Sequence, residues 1–484
     1  MKKRTVFPGA FCILFMMVIC FLGVNSSRAE EKSEYRMAWI LTYMEEIKDA
    51  DSIRNAVEEA RSANINALLP VVHRRGRAYY DSELLPVYNP TKAEMPVDTL
   101  AEFIKSAHDT SKGGQYIEVH PWVVMFPVWL EAIEPPEGHA IREHPEWLTL
   151  QYSPDPQPSS RVPQKWLDPG VPGVCDHYVK ICREIVEKYD VDGLNLDYIR
   201  YYEGGHGYNP MALKRFYKQN GRSEKPAPDD PVWQKWQRRQ ITNLVRRIYV
   251  ETKVFKPDIK LSVCSIVWGS PDKPFSESAA MQRVMQEWPA WCEEGIIDIN
   301  IPMNYRSEDK PSMSRDFRTW TRFIRSATGG RIYVNGLGNY LNSVEDSIRQ
   351  IKDSRDLGAD GSCLFRFGVN NNENKPHTSL LNAAAEGPWE EWAPVPEMEW
   401  IDDPTSGILK GRVYIGKDKK PVDAARVRLN DHTIYTDGSG YYAFVGVRPG
   451  NTKISIEYED ESLIIEGIEI KKGQIMTKDI LIDG

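Results

Sequence analysis

The sequence predicts an α/β fold, a (β/α)8 TIM barrel followed by a small all-β sandwich domain. Three observations carry that expectation. Strand-like and helix-like segments alternate regularly from about residue 35 to 388. A stretch rich in Pro, acid and Trp, GPWEEWAPVPEMEWIDDPTS, then breaks the alternation. Beyond it, runs such as GILKGRVYI, YYAFVGV and TKISIEYE are punctuated by DGSG and RPG, a pattern of short strands and tight turns. The expected organisation is a signal peptide at 1–29, the barrel at 35–388, a linker at 389–406 and the sandwich at 407–484.

The first segment is read by its charge and hydropathy. MKKR is a basic start, VFPGAFCILFMMVICFLGV an apolar run, and SSRA ends in small residues, so cleavage after Ala29 is expected. The mature chain would be secreted or periplasmic, meeting a membrane only through this export signal. An uncleaved anchor is the alternative, because the apolar run approaches spanning length.

Eight strand candidates follow in order: YRMAWILTY, INALLPVV, QYIEVHPWVVMF, VDGLNLDYIRY, KLSVCSIVWG, IDINIPMNY, GRIYVNGLGNY and ADGSCLFRFG. Amphipathic helices such as DSIRNAVEEARSAN, VCDHYVKICREIVEKY and SVEDSIRQIKDSRDLG separate them. A doubly wound sheet is disfavoured because no GxGxxG follows the first strand. Two connections, from Pro127 to about Pro172 and from Glu203 to about Pro231, are too long for plain turns. Both follow strand C-terminal ends, where a barrel carries its active-site loops.

The 484-residue chain has a net charge of -8, which argues against a nucleic-acid partner. Its 14 tryptophans and 23 tyrosines suit stacking on sugar faces as well as packing. The cysteines that remain after cleavage (Cys175, Cys182, Cys264, Cys292 and Cys363) are scattered and odd in number. They form no disulfide framework and no CxxC zinc spacing. No cofactor is expected, the expected partner is a carbohydrate polymer, and the oligomeric state is open.

Barrel strands alternate between interior and helix-facing sides, so polarity parity assigns the faces. In QYIEVHPWVV it turns Glu118, His120 and Trp122 inward; in VDGLNLDYI it turns Gly193, Asn195 and Asp197 inward. In IDINIPMNY the apolar set Ile297, Ile299, Ile301 and Met303 is assigned to the helices. Asp298, Asn300 and Asn304 are then assigned to the interior. Polar groups gathered at a barrel mouth cost a few kcal/mol each unless they are paired or solvated, which points to a pocket. Asp197, ending the fourth strand, is its leading candidate. Asp192 fits a turn role, Asn300 a buried network, and Glu308 and Asp309 a solvated loop.

In order along the chain, RMAWILT, LPVVHRRGRAYYDS, EVHPWVV, HPEWL, WLDPG, VDGLNLDYIRY, EGIIDINIPMNY and VNGLGNY resemble the glycosyl hydrolase-like 10 family. The resemblance covers most of residues 35–370. It implies an exported bacterial (β/α)8 protein that hydrolyses glycosidic bonds of a polysaccharide or of the peptidoglycan glycan. The family's fourth-strand D-G-x-x-x-D pattern falls on Asp197, and in related barrel glycosidases the carboxylate at this strand end is the nucleophile. The chain departs from the pattern at Asn195, where many members carry His, and at Tyr198, where some carry a second acid. The segments GRVYIGKDKKPVDAARVRL and TDGSGYYAF resemble carboxypeptidase regulatory-like domains, which are accessory modules.

Glycoside hydrolysis uses two carboxyl groups, one protonating the leaving oxygen and one acting as nucleophile or base. Asp197 is expected to supply one and Glu118 the other, with Glu203 or Asp272 as substitutes if Glu118 lies too deep. Arg74, Arg200, Arg366, Asn304 and Tyr305 follow strand ends and are expected to grip sugar hydroxyls or carboxylates, with His120 and Asn195 as further substrate contacts. Trp39, Trp122 and Trp268 would stack on sugar faces. Two rival readings are a non-catalytic carbohydrate-binding barrel and a metal-dependent hydrolase using His73, His120 and Asp197.

Overall fold

The computed structural model describes residue 1 and residues 33–483, apart from 45–46, 48, 89–96, 131–133 and 154–163. The expected export signal thus lies outside the described residues, save its first. Eight strands close into a barrel: β1 (Tyr35–Ile40), β2 (Ala67–Arg74), β3 (Glu118–Val119 and Trp122–Val124), β4 (Gly193–Asp197), β5 (Lys260–Ser265), β6 (Ile299–Pro302), β7 (Ile332–Gly338) and β8 (Gly361–Phe365). Neighbours run parallel, and β1 pairs with both β2 and β8, which closes the ring. Pro121, which has no N–H to donate, interrupts β3 and accepts from the Asn195 backbone through its carbonyl at 2.9 Å.

Helices alternate with the strands: α1 (Ala50–Ser62), α2 (Thr99–His108), α3 (Pro172–Lys188), α4 (Pro231–Lys253), α5 (Trp288–Glu294), α6 (Pro311–Ala327), α7 (Val344–Asp356) and α8 (Thr378–Ala385). Pro172, Pro231 and Pro311 open their helices, where the missing N–H costs nothing and the fixed φ already suits the first turn. Leu194, Leu196 and Val123 pack outward against the helices. Met37, Trp39, Leu69, Ile299 and Ile301 fill the interior.

That last pair overturns the parity expected for β6. Ile299 and Ile301 point inward, while Asn300 and Asn304 face the helices. Asn304 donates to the Phe317 carbonyl at 3.0 Å and to Thr321 Oγ1 at 3.3 Å, both on α6. Asn300 is buried without a side-chain hydrogen bond among the described residues, so it joins no network there. The physical reason is that both faces of a parallel barrel strand are buried. Polarity marks an interior only when the covering layer is apolar, and α6 offers a hydroxyl and carbonyls.

Residues 387–406, whose composition suggested a linker, lie across the N-terminal end of the barrel. Trp389 and Met398 are buried. The Glu34 N–H donates to the Pro394 carbonyl at 2.9 Å, Asn66 Nδ2 to the Ala393 carbonyl at 3.0 Å, and Trp400 Nε1 to Asp298 Oδ1 at 2.7 Å. The aromatic bulk of the stretch finds apolar surface there, and its four prolines remove four N–H groups that would otherwise need partners.

After it, Gly407–Ile415 is the centre of a five-stranded sheet, and Arg426–Leu429 with Gly450–Tyr458 the centre of a four-stranded one. Leu409, Val413, Val427, Phe444, Ile454 and Ile456 form their shared core. This part is tied to the barrel by charge. Arg215 bonds both Asp423 oxygens at 2.7 and 2.8 Å, Arg247 reaches Asp437 at 3.1 Å, and Lys410 reaches Glu251 at 2.8 Å. A chain ending after Asp403 keeps Trp389 and Trp400 but leaves Arg215 and Arg247 without these partners. It should remain folded yet melt several degrees below the full chain by circular dichroism; an unchanged melt would show that these contacts add nothing to barrel stability.

Candidate active site

The site is assembled at the C-terminal end of the strands. Asp197, the last residue of β4, is held by two donors: Trp122 Nε1 reaches its Oδ2 at 3.1 Å and the Tyr198 backbone N–H its Oδ1 at 2.7 Å. Tyr198 adopts φ 53°, and this left-handed turn swings the chain out of the strand into the mouth. A cavity of about 300 Å³ opens there. Trp39, Trp122, Tyr305 and Phe365 wall it, with Trp39 and Trp122 centroids 6.2 Å apart and Tyr305 stacked on Phe365 at 5.2 Å. Flat apolar walls around a few fixed polar groups are what a sugar ring needs, since its faces are C–H-rich and its edges carry hydroxyls.

Burial pushes the Asp197 carboxyl up to about 6, partly offset by the Arg200 charge and by the Tyr198 and Trp122 N–H groups. If the ionised form is the one that acts, kcat/KM should fall as pH drops through about 6. If Asp197 is instead the proton donor, it should fall as pH rises through the same value. A pH–rate profile decides between the two.

A second groove of about 480 Å³ continues from the cavity, sharing Gln164, Tyr198, Arg200 and Trp268 with it and adding Trp166, Tyr202, Glu203 and Arg283. Both long excursions build it. The first forms an antiparallel pair, Pro127–Leu130 with Gln164–Trp166; the second carries the helix Pro210–Asn220. Asp168 joins them. It accepts from Gly170 N at 2.8 Å and Thr149 Oγ1 at 3.0 Å in the first, and from Asn209 N at 3.2 Å in the second. Burial raises its carboxyl to about 6 as well, but it is fully enclosed by these partners.

Seven expected residues converge on the cavity: Trp39, Arg74, Trp122, Asp197, Arg200, Trp268 and Tyr305. Others do not. Glu118 opens its strand, as Tyr35 and Lys260 open theirs, and therefore sits at the opposite end of the barrel from Asp197. It pairs with Lys260 and accepts from Tyr35 Oη at 3.1 Å and His120 Nε2 at 2.9 Å. Burial pushes the Glu118 carboxyl up, but His120 and Lys260 outweigh it and the net shift is downward. That is the reverse of what a proton donor at neutral pH requires. His120 is committed to this cluster, beneath Gly193.

Asn195 lies under the floor. It accepts from Trp39 Nε1 at 3.1 Å and donates to Ser262 Oγ at 2.8 Å, so it orients a wall residue. Asn304 faces α6, as described, and Arg366 is not among the lining residues, Phe365 taking that place. Of the loop acids, Glu203 borders the groove in an ion pair with Arg283, whereas Asp272 is exposed beside Ser270. His73 turns toward Tyr178 of α3, with Nδ1 2.8 Å from the Val124 carbonyl, so His73, His120 and Asp197 do not converge. Glu308 is not solvated but paired with Arg318 at 3.2 Å.

Tyr43, Arg75, Gln164 and Phe365 also line the cavity without having been singled out, and Tyr198, noted only as a departure from the family pattern, lines it too. Arg75, Tyr198 and Phe365 stand at or just beyond a strand end, a positional signal available in the sequence. Gln164 is brought there by the hairpin in the first excursion, which no local pattern announces.

A family model described as glycosyl hydrolase-like 10 matches residues 34–327. Glycosyl hydrolase YngK of Bacillus subtilis is 23% identical over 456 residues, covering 86% of this chain and 83% of that protein. Glycosyl hydrolase DigH of Escherichia coli K12 is 25% identical over 246 residues, 46% of this chain and 53% of that protein. Among solved structures, the PgaB (BpsB) glycoside hydrolase domain of Bordetella bronchiseptica superposes with a TM-score of 0.54 at 15% identity, covering 73% of this chain and 98% of that one. The α-L-fucosidase isoenzyme 2 of Paenibacillus thiaminolyticus gives 0.51 at 16%, covering 80% and 53%. The structural likenesses agree with the barrel fold; the family model spans more than half of the chain. On the extent of that match the chain belongs to the glycosyl hydrolase-like 10 family.

Proposed function

We propose that this chain is an exported glycoside hydrolase that cleaves O-glycosidic bonds in a polysaccharide or in the glycan of peptidoglycan, with Asp197 as a catalytic carboxylate. The observation that carries this reading is the placement of Asp197. It is a buried carboxylate on the wall of an aromatic cavity at the barrel mouth, with a raised affinity for its proton. Glu203, on the adjoining groove, is the described carboxyl group best placed to serve as its partner once Arg283 releases it. The C-terminal sheets would serve as an accessory module.

The test is a screen of the purified protein against polysaccharides and stripped peptidoglycan glycans, with product analysis. Shorter glycans from wild type and none from Asp197→Ala support hydrolysis. Trp268→Ala should weaken glycan binding roughly tenfold, about 1.4 kcal/mol, by removing one stacking surface. Calorimetric titration measures this.

One feature favours a second reading, a carbohydrate-binding barrel without turnover. Asp197 is the only carboxylate among the described residues lining the cavity itself. Binding of glycans with no products from wild type would establish it.

A further inference from the structure

We infer that the cleft is built for a sugar carrying an anionic substituent, a carboxylate or a sulfate, received by Arg200. This rests on the reading of the site as a glycan cleft and goes further by naming the substrate's charge. Arg200 is only 6% exposed, yet its guanidinium makes no hydrogen bond or ion pair among the described residues, and its Nε is buried without a partner. It is held by rings instead: its Cζ lies 4.5 Å from the Tyr198 centroid, 5.1 Å from Trp268 and 5.7 Å from Trp166. It borders both the cavity and the groove. A desolvated cation with free donors is costly, and a bound anion relieves that cost.

The rest of the cavity has the same sign. Arg74 and Arg75 also line it, Arg74 with its Cζ 3.9 Å from the Tyr43 centroid, and neither is in an ion pair among the described residues. Against these three cations the cavity presents one carboxylate, Asp197, and the groove's Glu203 is already held by Arg283. This positive excess stands in a chain whose net charge is -8. A guanidinium fork matches the two oxygens of a carboxylate or sulfate, whereas neutral sugar hydroxyls would satisfy its donors and leave its charge without a directly paired anion. Were Arg200 present only to hold Asp197 ionised, a direct hydrogen bond between them would be expected, and Arg74 and Arg75 would be superfluous.

The experiment is calorimetric titration of the full chain carrying Asp197→Asn with matched oligosaccharide pairs. Uronic-acid oligosaccharides are set beside their methyl esters, and sulfated ones beside their desulfated forms. In at least one pair the anionic member should bind ten times tighter or more, an advantage that shrinks with added salt and is lost in Arg200→Gln. The pair that shows it tells carboxylate from sulfate. Arg74→Gln carries the same test, with a reduced preference, should Arg200→Gln fail to fold. No anionic preference in any pair, or a preference unchanged by these substitutions, overturns the inference. Wild-type turnover on the same pairs keeps the two readings apart. Preference without turnover retains the anionic subsite and removes the hydrolase, and turnover without preference does the reverse.

Discussion

Asp197→Asn should lower kcat about a thousandfold or more while making the protein more stable. The first effect follows from charge. A thousandfold corresponds to roughly 4 kcal/mol of transition-state stabilisation, the scale expected when a carboxylate that attacks or stabilises an oxocarbenium-like centre becomes a neutral amide of the same shape. The second follows from burial, which raises the Asp197 carboxyl to about 6 in the folded chain. A folded state that holds the proton more tightly than the unfolded one is penalised by ionisation. The penalty is absent below pH ~4, grows between ~4 and ~6, and is constant above, reaching about 3 kcal/mol for a shift of about two pH units. The asparagine never ionises, but its NH2 group loses one of the bonds now made by Trp122 or Tyr198. The net effect should therefore be a gain of about 1 to 2 kcal/mol at pH 8 that reverses to a loss of about 1 kcal/mol at pH 4, where the ionisation penalty is nearly gone and the lost bond remains. Chemical denaturation at the two pH values, beside steady-state kinetics, measures both effects. Near wild-type turnover in the variant would reduce Asp197 to a substrate anchor.

Glu118→Gln should do the opposite, costing about 3 to 5 kcal/mol of stability and leaving kcat nearly unchanged. The carboxylate balances the Lys260 ammonium and receives His120 and Tyr35 at the closed end of the barrel. Removing one member of a buried pair strands the other, which is why the cost exceeds the worth of the pair itself. The pH sign is fixed by the depressed carboxyl of Glu118. Its contribution is fully present above the ordinary glutamate value near ~4.3 and is lost as pH falls through the lower folded value. The gap between wild type and variant should accordingly narrow in acid. A variant that melts normally but has lost its turnover would restore Glu118 to the chemistry.

The barrel itself was written in the sequence. Its eight strands can be found by eye because short strand-length runs, most carrying β-branched or aromatic residues, alternate with amphipathic helices, and local pattern is what such periodicity encodes. The β4 mouth was legible for a related reason. GLNLD alternates strictly, so Asp197 had to share a face with Asn195 and Gly193.

What the sequence could not decide was depth and neighbour. Glu118 and Asp197 share inward parity, and only the stagger of the closed sheet, with Trp122 opposite Asn195 and Val124 opposite Asp197, puts one at the closed end and the other at the mouth. The β6 asparagines look like interior groups until α6 supplies Thr321 and a carbonyl on the other side. Residues 387–406 look like a linker until Trp389 and Trp400 meet the barrel's underside. Arg200 is one arginine among many until three rings surround it and none of the described residues bonds its Nε. Periodicity reports which side of its own backbone a residue occupies. Which groups lie across from it is set by chain segments far away in sequence, and burial, ion pairing and proton affinity depend on those groups.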